Sequence, residues 1–218
     1  MNKKIRVLLV VALIISALTV TSVYAYENIL LPNSYNSIVE YSKIEKSKAG
    51  LDKHKQFILE KNKKLKEAKL TDVMATITFE KAISVDELEN YINTHNIKPV
   101  QVQARSLQAD GTRVTTMTKT TKGLKVTDEI VKQQATDSNA TFIGYISMYA
   151  RVNSDSIDGI EKDKNTYLID TSADLYHAGR KQANGKSRNL LDDGNSKKVS
   201  KRFPHSLAWD LEDLRNKK

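Results

Sequence analysis

The hydrophobic period changes from 3.6 to 2 at residue 72, and the segment that follows constrains the fold more than any other part of the chain. From Asp72 to Glu80, Val73, Ala75, Ile77 and Phe79 alternate with Met74, Thr76, Thr78 and Glu80, the pattern of a half-buried strand. Ser84-Val85-Asp86-Glu87 has capping-box spacing: Ser84 caps, and Glu87 reaches back to it. Leu88, Tyr91 and Ile92 give a helix over about 85–95 its buried face. Asn96 is placed to stop that helix, and Pro99 cannot continue it. A second strand then runs from Pro99 to Leu107, with Val100, Val102 and Ala104 on one face. Residues 72–107 are therefore a compact β-α-β unit.

A second set of elements follows. Thr141–Arg151 alternates with both faces fairly apolar, which suits a central strand. Ser154 is placed to cap a short helix carrying Ile157 and Ile160, and Thr166–Thr171 reads as a final strand. Between the sets, Ala109-Asp110-Gly111 is a hairpin turn signal. Arg113–Lys119 reads as a returning strand, and Lys125–Ala135 as a short helix. The order β(72–80), α(85–95), β(99–107), β(141–151), α(154–163), β(165–171) predicts an α+β, ferredoxin-like (β-α-β-β-α-β) domain. Its antiparallel four-stranded sheet carries two helices on one face. In that parse the domain spans 71–172, with 108–140 as an insertion. A rival parse takes 112–119 and 126–137 as the third strand and second helix, and leaves the last helix and strand as an addition.

Thr76-Ile77-Thr78-Phe79, the capped helix, Phe142-Ile143-Gly144-Tyr145-Ile146, Ile157, Ile160 and Tyr167-Leu168-Ile169-Asp170 together resemble the propeptide and inhibitor modules of subtilisin-like proteases. Those are exported ferredoxin-like domains with a Gly-Tyr-bearing strand before a short helix and an edge strand. The resemblance covers residues 72–171 and implies a domain that binds another protein. The chain departs from that family in having no protease segment after the module, and in a tail that continues well past the last strand.

The flanks differ in character. Residues 1–25 combine the basic start Lys3-Lys4-Ile5-Arg6, the apolar run Val7–Val20, and small residues at Val23 and Ala25. That is the form of an export signal cleaved near Ala25; the alternative is an uncleaved anchor at the short limit for spanning a bilayer. Residues 26–70 read as an arm and a long charged helix over 36–69. Ile38, Tyr41 and Ile44 step by three, and Leu51, Ile58 and Leu65 step by seven, a narrow apolar stripe. Gly50 is unfavourable in a helix interior, so two helices broken near residues 47–50 are the alternative. Residues 173–218 read as a flexible basic tail, with a small amphipathic turn at Ser206–Leu214.

The chain has no cysteine, which excludes disulfides, thiolate catalysis and thiolate-bound metal. Its formal charge is +9. Cleavage after residue 25 removes three of the 35 basic residues and none of the 26 acids, leaving +6, a bias toward anionic surfaces. Two basic clusters carry the candidate anionic-surface contacts: Lys61, Lys63, Lys64, Lys66 and Lys69, then Lys197, Lys198, Lys201 and Arg202. A solvated face is the ordinary reading of such runs. No aromatics interleave with them, so no nucleic acid is expected.

Gly179–Ser187 has five residues between its glycines where a phosphate loop has four, and Asn153–Gly159 lacks the ligands of a calcium loop. His54, His95, His177 and His205 are scattered, and no G-x-S-x-G motif occurs. Paired Asp174 and His177 are the one combination that would revive a hydrolase. No catalytic residue, cofactor or metal is therefore expected. The sequence predicts a secreted or envelope-associated, non-catalytic module that binds an extracellular protein. Its sheet edges and helix stripe are the contact surfaces. The alternative is an electrostatic binder of anionic wall or membrane surfaces, with an extracellular hydrolase third.

Overall fold

The computed structural model describes Tyr41 and residues 44–67, 73–172 and 206–216. The expected export signal, the arm, Asp174, His177, His205 and the glycine-rich loop at 179–187 lie outside those residues. The elements run α1 (Lys48–Glu67), β1 (Val73–Ile83), α2 (Val85–Thr94), β2 (Lys98–Gln108), β3 (Arg113–Lys119), α3 (Leu124–Asp137), β4 (Ala140–Val152), a 3-10 turn (Ser154–Ser156), α4 (Ile157–Lys162), β5 (Thr166–Asp170) and α5 (Ala208–Asn216). The fold is α+β. One antiparallel sheet has the strand order β3-β2-β4-β1-β5.

Local chemistry accounts for the boundaries. Ser84 Oγ accepts from the Glu87 N–H and Glu87 Oε2 from the Ser84 N–H, so the capping box is complete. Asn96 leaves α2 at φ +50°, a left-handed exit that asparagine tolerates well. At the β2–β3 turn, Asp110 Oδ1 accepts from the Thr112 N–H and Gly111 takes φ +83°. Asn153, rather than Ser154, stands at the N-cap of the 3-10 turn; Ser154 is its first residue and is buried.

The sheet has two unlike faces. On the helical face, Val73, Ala75, Ile77, Phe79, Val102, Ala104, Met148, Ala150 and Ile169 meet Leu88, Tyr91 and Ile92 of α2, Val131 of α3, and Ile157 and Ile160 of α4. This is the main core, and its alternation along each strand is the period-2 pattern at work. The second face carries Thr76, Thr78, Gln103, Arg105, Ser147, Leu168 and Asp170, most of them buried polar groups. There Leu51 and Ile58 of α1 pack with Leu168, Tyr167, Leu207 and Leu211. The seven-residue stripe of α1 is thus buried inside its own domain, with Leu65 joining the main core.

Two expectations need correction. Residues 108–140 are not an insertion beside a four-stranded sheet. β3 is a fifth strand hydrogen-bonded along β2, and α3 packs on the helical face, so that face carries three helices. Burial of Thr127, Val131 and Ala135 gives the segment apolar cover that its Thr-rich text alone did not predict. The C-terminal residues 206–216 are not part of a flexible tail either: α5 lies against the second face, where its Leu207 and Leu211 are buried. The run expected as one helix over 36–69 is divided close to Gly50: Tyr41 is helical, residues 44–47 are not, and α1 begins at Lys48. Gly50 itself lies on the C-terminal side of that break. It sits in the first turn of α1, its N–H donates to Ser47 Oγ, and a Cβ there would meet Glu45 O at 2.3 Å.

Candidate functional site

The two edges of the sheet are treated in opposite ways. β5 is covered by α1, whose Asn62 reaches its backbone. Asn62 is fully buried, and its Nδ2 donates to Ile169 O (2.8 Å) and to Glu161 Oε1 (2.8 Å). Its Oδ1 accepts from the Thr171 hydroxyl at 2.7 Å. A carbonyl that an edge strand would leave exposed is thereby satisfied inside the chain.

Among the described residues, no strand pairs with the outer side of β3. Its register against β2 runs without a shift from Gln101↔Lys119 to Leu107↔Arg113. The ladder is closed at one end by Thr120 N–H donating to Val100 O, and at the other by Gln108 N–H donating to Thr112 O. Antiparallel pairs alternate between those that exchange hydrogen bonds and those that do not. Val102–Thr118, Ala104–Thr116 and Ser106–Val114 are therefore the bonded pairs. The N–H and C=O groups of Arg113, Thr115, Met117 and Lys119 point outward, away from β2. β3 contains neither a proline nor a bulge, two of the devices that block an edge.

The side chains of those four residues lie on the second face, beside α5. Arg105 is buried, and it reaches Glu212 with Nε (3.0 Å) and Nη2 (2.8 Å). Its Nη1 donates to Thr115 Oγ1. Arg113 pairs with Glu212 and Asp213. Burial opposes the charge on Arg113, but the hydrogen bonds it donates to Asp213 and Glu212 outweigh it and raise its pKa. The Trp209 ring lies 4.1 Å from the Arg105 guanidinium and 4.3 Å from that of Arg113, within cation–π range. Leu207 N–H donates to Thr78 Oγ1, and Arg215 pairs with Glu80. An acidic helix thus sits on a cationic stretch of sheet and holds Trp209 next to β3, 38% exposed. Met117, on the same face, is 44% exposed.

Of the two predicted basic clusters, only Lys61, Lys63 and Lys66 have described side chains. Lys66 pairs with Asp158 and Glu161. Burial opposes its charge, but the hydrogen bonds to both carboxylates prevail and raise its pKa. Lys61 lies over the Phe57 ring at 4.7 Å, and Lys63 is exposed. Lys64 belongs to α1, with its side chain outside the description. Lys69, Lys197, Lys198, Lys201 and Arg202 lie outside the described residues.

Other polar groups are engaged locally. His95 Nε2 is 2.9 Å from Asp163 Oδ2, tying the C-cap of α2 to that of α4. His54 Nε2 is 4.0 Å from Asp170 Oδ2, and burial pushes the Asp170 carboxyl up. Gln103 Nε2 donates to the Tyr149 hydroxyl, whose pKa burial pushes up to about 12. A cavity of about 160 Å³ between α1 and α5 is lined by Lys46, Leu51, Asp210, Asp213 and Leu214. Its charges are mutually paired, because Asp210 accepts from the Tyr41 hydroxyl and holds Lys46 while Asp213 holds Arg113. Among the described residues, no group of three His, Asp or Glu side chains is gathered to hold a metal, and no helix is long and apolar enough to cross a membrane.

No family model, curated protein or solved structure matches the chain. Asn62, Arg105 and Trp209 went unremarked in the sequence as functional residues. Only Trp209, the single tryptophan, carried a signal that could have drawn attention to it.

Proposed function

We propose that this is an exported, non-catalytic protein-binding module that captures an extended segment by strand addition to β3. One observation carries the reading: the chain covers β5 with a buried amide and leaves β3 with outward backbone groups at four alternate residues. Such an edge supplies affinity through main-chain hydrogen bonds and selectivity through alternate side chains. Burial of the α1 stripe takes the other surface expected from the sequence out of contention. The signal-like residues 1–25 support action outside the cytoplasmic membrane, after cleavage near Ala25. The order β2-β4-β1-β5 supports reading these four strands as a ferredoxin-like sheet extended by β3, in the manner of the protease propeptide modules that residues 72–171 resemble.

The experiment is a pull-down from the source organism's extracellular fraction at low and high salt. Residues 26–218, which contain every described residue, serve as bait, with Met117→Pro and Thr116→Pro as variants. Proline at 117 deletes only an outward N–H, which an edge strand tolerates. Proline at 116 breaks the β2 ladder and costs about 3 kcal/mol or more. The reading predicts a discrete protein retained at high salt by the wild-type chain and lost with folded Met117→Pro. Equal retention by both overturns it. Retention that vanishes at high salt for every bait supports the electrostatic alternative, an anionic wall or membrane surface.

A further inference from the structure

We infer that β3 of a second copy of this chain occupies the β3 edge, antiparallel about a two-fold axis at Thr115. The inference rests on the reading of β3 as the binding edge. Three self-pairings overlap β3 by five residues or more and bring outward backbone groups face to face. One, centred on Thr116, sets Arg113 opposite Lys119 of the second copy, and like charges directly opposite are destabilising. A second, centred on Met117, sets Thr115 opposite Lys119 and Met117 opposite Met117, and leaves Arg113, beside Trp209, outside the pairing. The third, centred on Thr115, sets Thr115 opposite Thr115 and Arg113 opposite Met117. On the helical side it sets Val114 opposite Thr116. No like charges face each other in this register.

We favour the register centred on Thr115 because it accounts for two exposed side chains. Met117 of each copy lands beside Arg113 of the other, whose guanidinium is already 4.3 Å from the Trp209 ring. Met117 and Trp209, both exposed on this face, would thus lose exposure together. Arg113 brings little repulsion to the axis, because Glu212 and Asp213 neutralise it. Pairing one short strand buries less than a standard interface, so the dimer is concentration-dependent.

The chain supplies its own reporters, having no cysteine and one tryptophan. In the proposed register the two Thr115 residues form a hydrogen-bonded pair with Cα atoms about 5.5 Å apart, inside the span a disulfide bridges. The test is oxidation of Thr115→Cys in residues 26–218, with Val126→Cys on the exposed side of α3 as the collision control. Expected are a disulfide dimer at 115, none at 126, and loss of the dimer when Met117→Pro is added. The cysteine-free chain should show a blue shift of Trp209 emission on concentration. Dimerisation at 126 as fast as at 115, or an oxidised Thr115→Cys chain that stays monomeric with unshifted emission in the cysteine-free chain, overturns self-pairing. If self-pairing fails while Met117→Pro still abolishes partner capture, strand addition stands with another occupant. If partner capture is also unchanged by Met117→Pro, both readings fall.

Discussion

Asn62 shows how much one side chain decides. Its amide joins α1, the β5 backbone and the Thr171 hydroxyl at a site with no exposure. An unsatisfied buried polar group costs about 1–3 kcal/mol, and truncation orphans two. Asn62→Ala should therefore destabilise the fold by about 2 kcal/mol or more in urea unfolding; a loss under about 0.5 kcal/mol would mean that water replaces the amide. Nearby Asp170 acts through pH. Burial pushes its carboxyl up, against the backbone hydrogen bond from Ser172 and the charges of His54 and Lys61. A raised native pKa means that the folded chain keeps this proton where the unfolded chain has lost it. Its contribution is fully present below about pH 4, the unfolded value, and is lost as pH rises through the native one. Asp170→Asn should flatten that decline when unfolding is measured at a series of pH values above 4. An unchanged slope would assign the pH dependence to other groups.

At the scale of elements, the described strands and helices were legible close to their places, β3 at Arg113–Lys119 and the amphipathic element at 206–214 included, whereas the docking of one element on a distant one was not. β1, α2, β2 and β4 were readable because each buries one face against the main core, and α2 because Ser84 and Glu87 fix its start locally. The stripe Leu51-Ile58-Leu65 was readable as a stripe, but its burial against β5 depends on Leu168 and Leu207, far away in sequence. The Thr-rich text of β3 carries little hydrophobic signal, and its register comes from the turn at Asp110-Gly111 and the ladder with β2. Helix α5 is short, and its docking relies on Arg105 and Arg113, about a hundred residues earlier. That dependence is testable. Glu212→Ala leaves the buried Arg105 guanidinium without its carboxylate, a loss of about 3 kcal/mol for a buried pair. Because this cost falls on α5 docking, the Trp209 fluorescence transition should move to lower denaturant than the far-UV circular dichroism transition. Coincident, unshifted transitions would show that α5 is held by its apolar contacts alone.

At the scale of the whole molecule, the described residues form a sheet with an apolar, helix-covered face, a polar face closed by α1 and α5, an edge at β5 reached by α1, and an edge at β3 with which no described strand pairs. The functional account rests on the β3 edge, and residue-resolved amide hydrogen exchange on residues 26–218 tests it most directly. At low protein concentration, the N–H groups of Val114, Thr116 and Thr118 should exchange slowly, while those of Arg113, Thr115, Met117 and Lys119 exchange rapidly. At high concentration the outward groups from Arg113 to Met117 should gain protection, with the others unchanged. Equal protection of odd and even positions at the lowest concentration would show that the edge is already closed, and would contradict the account.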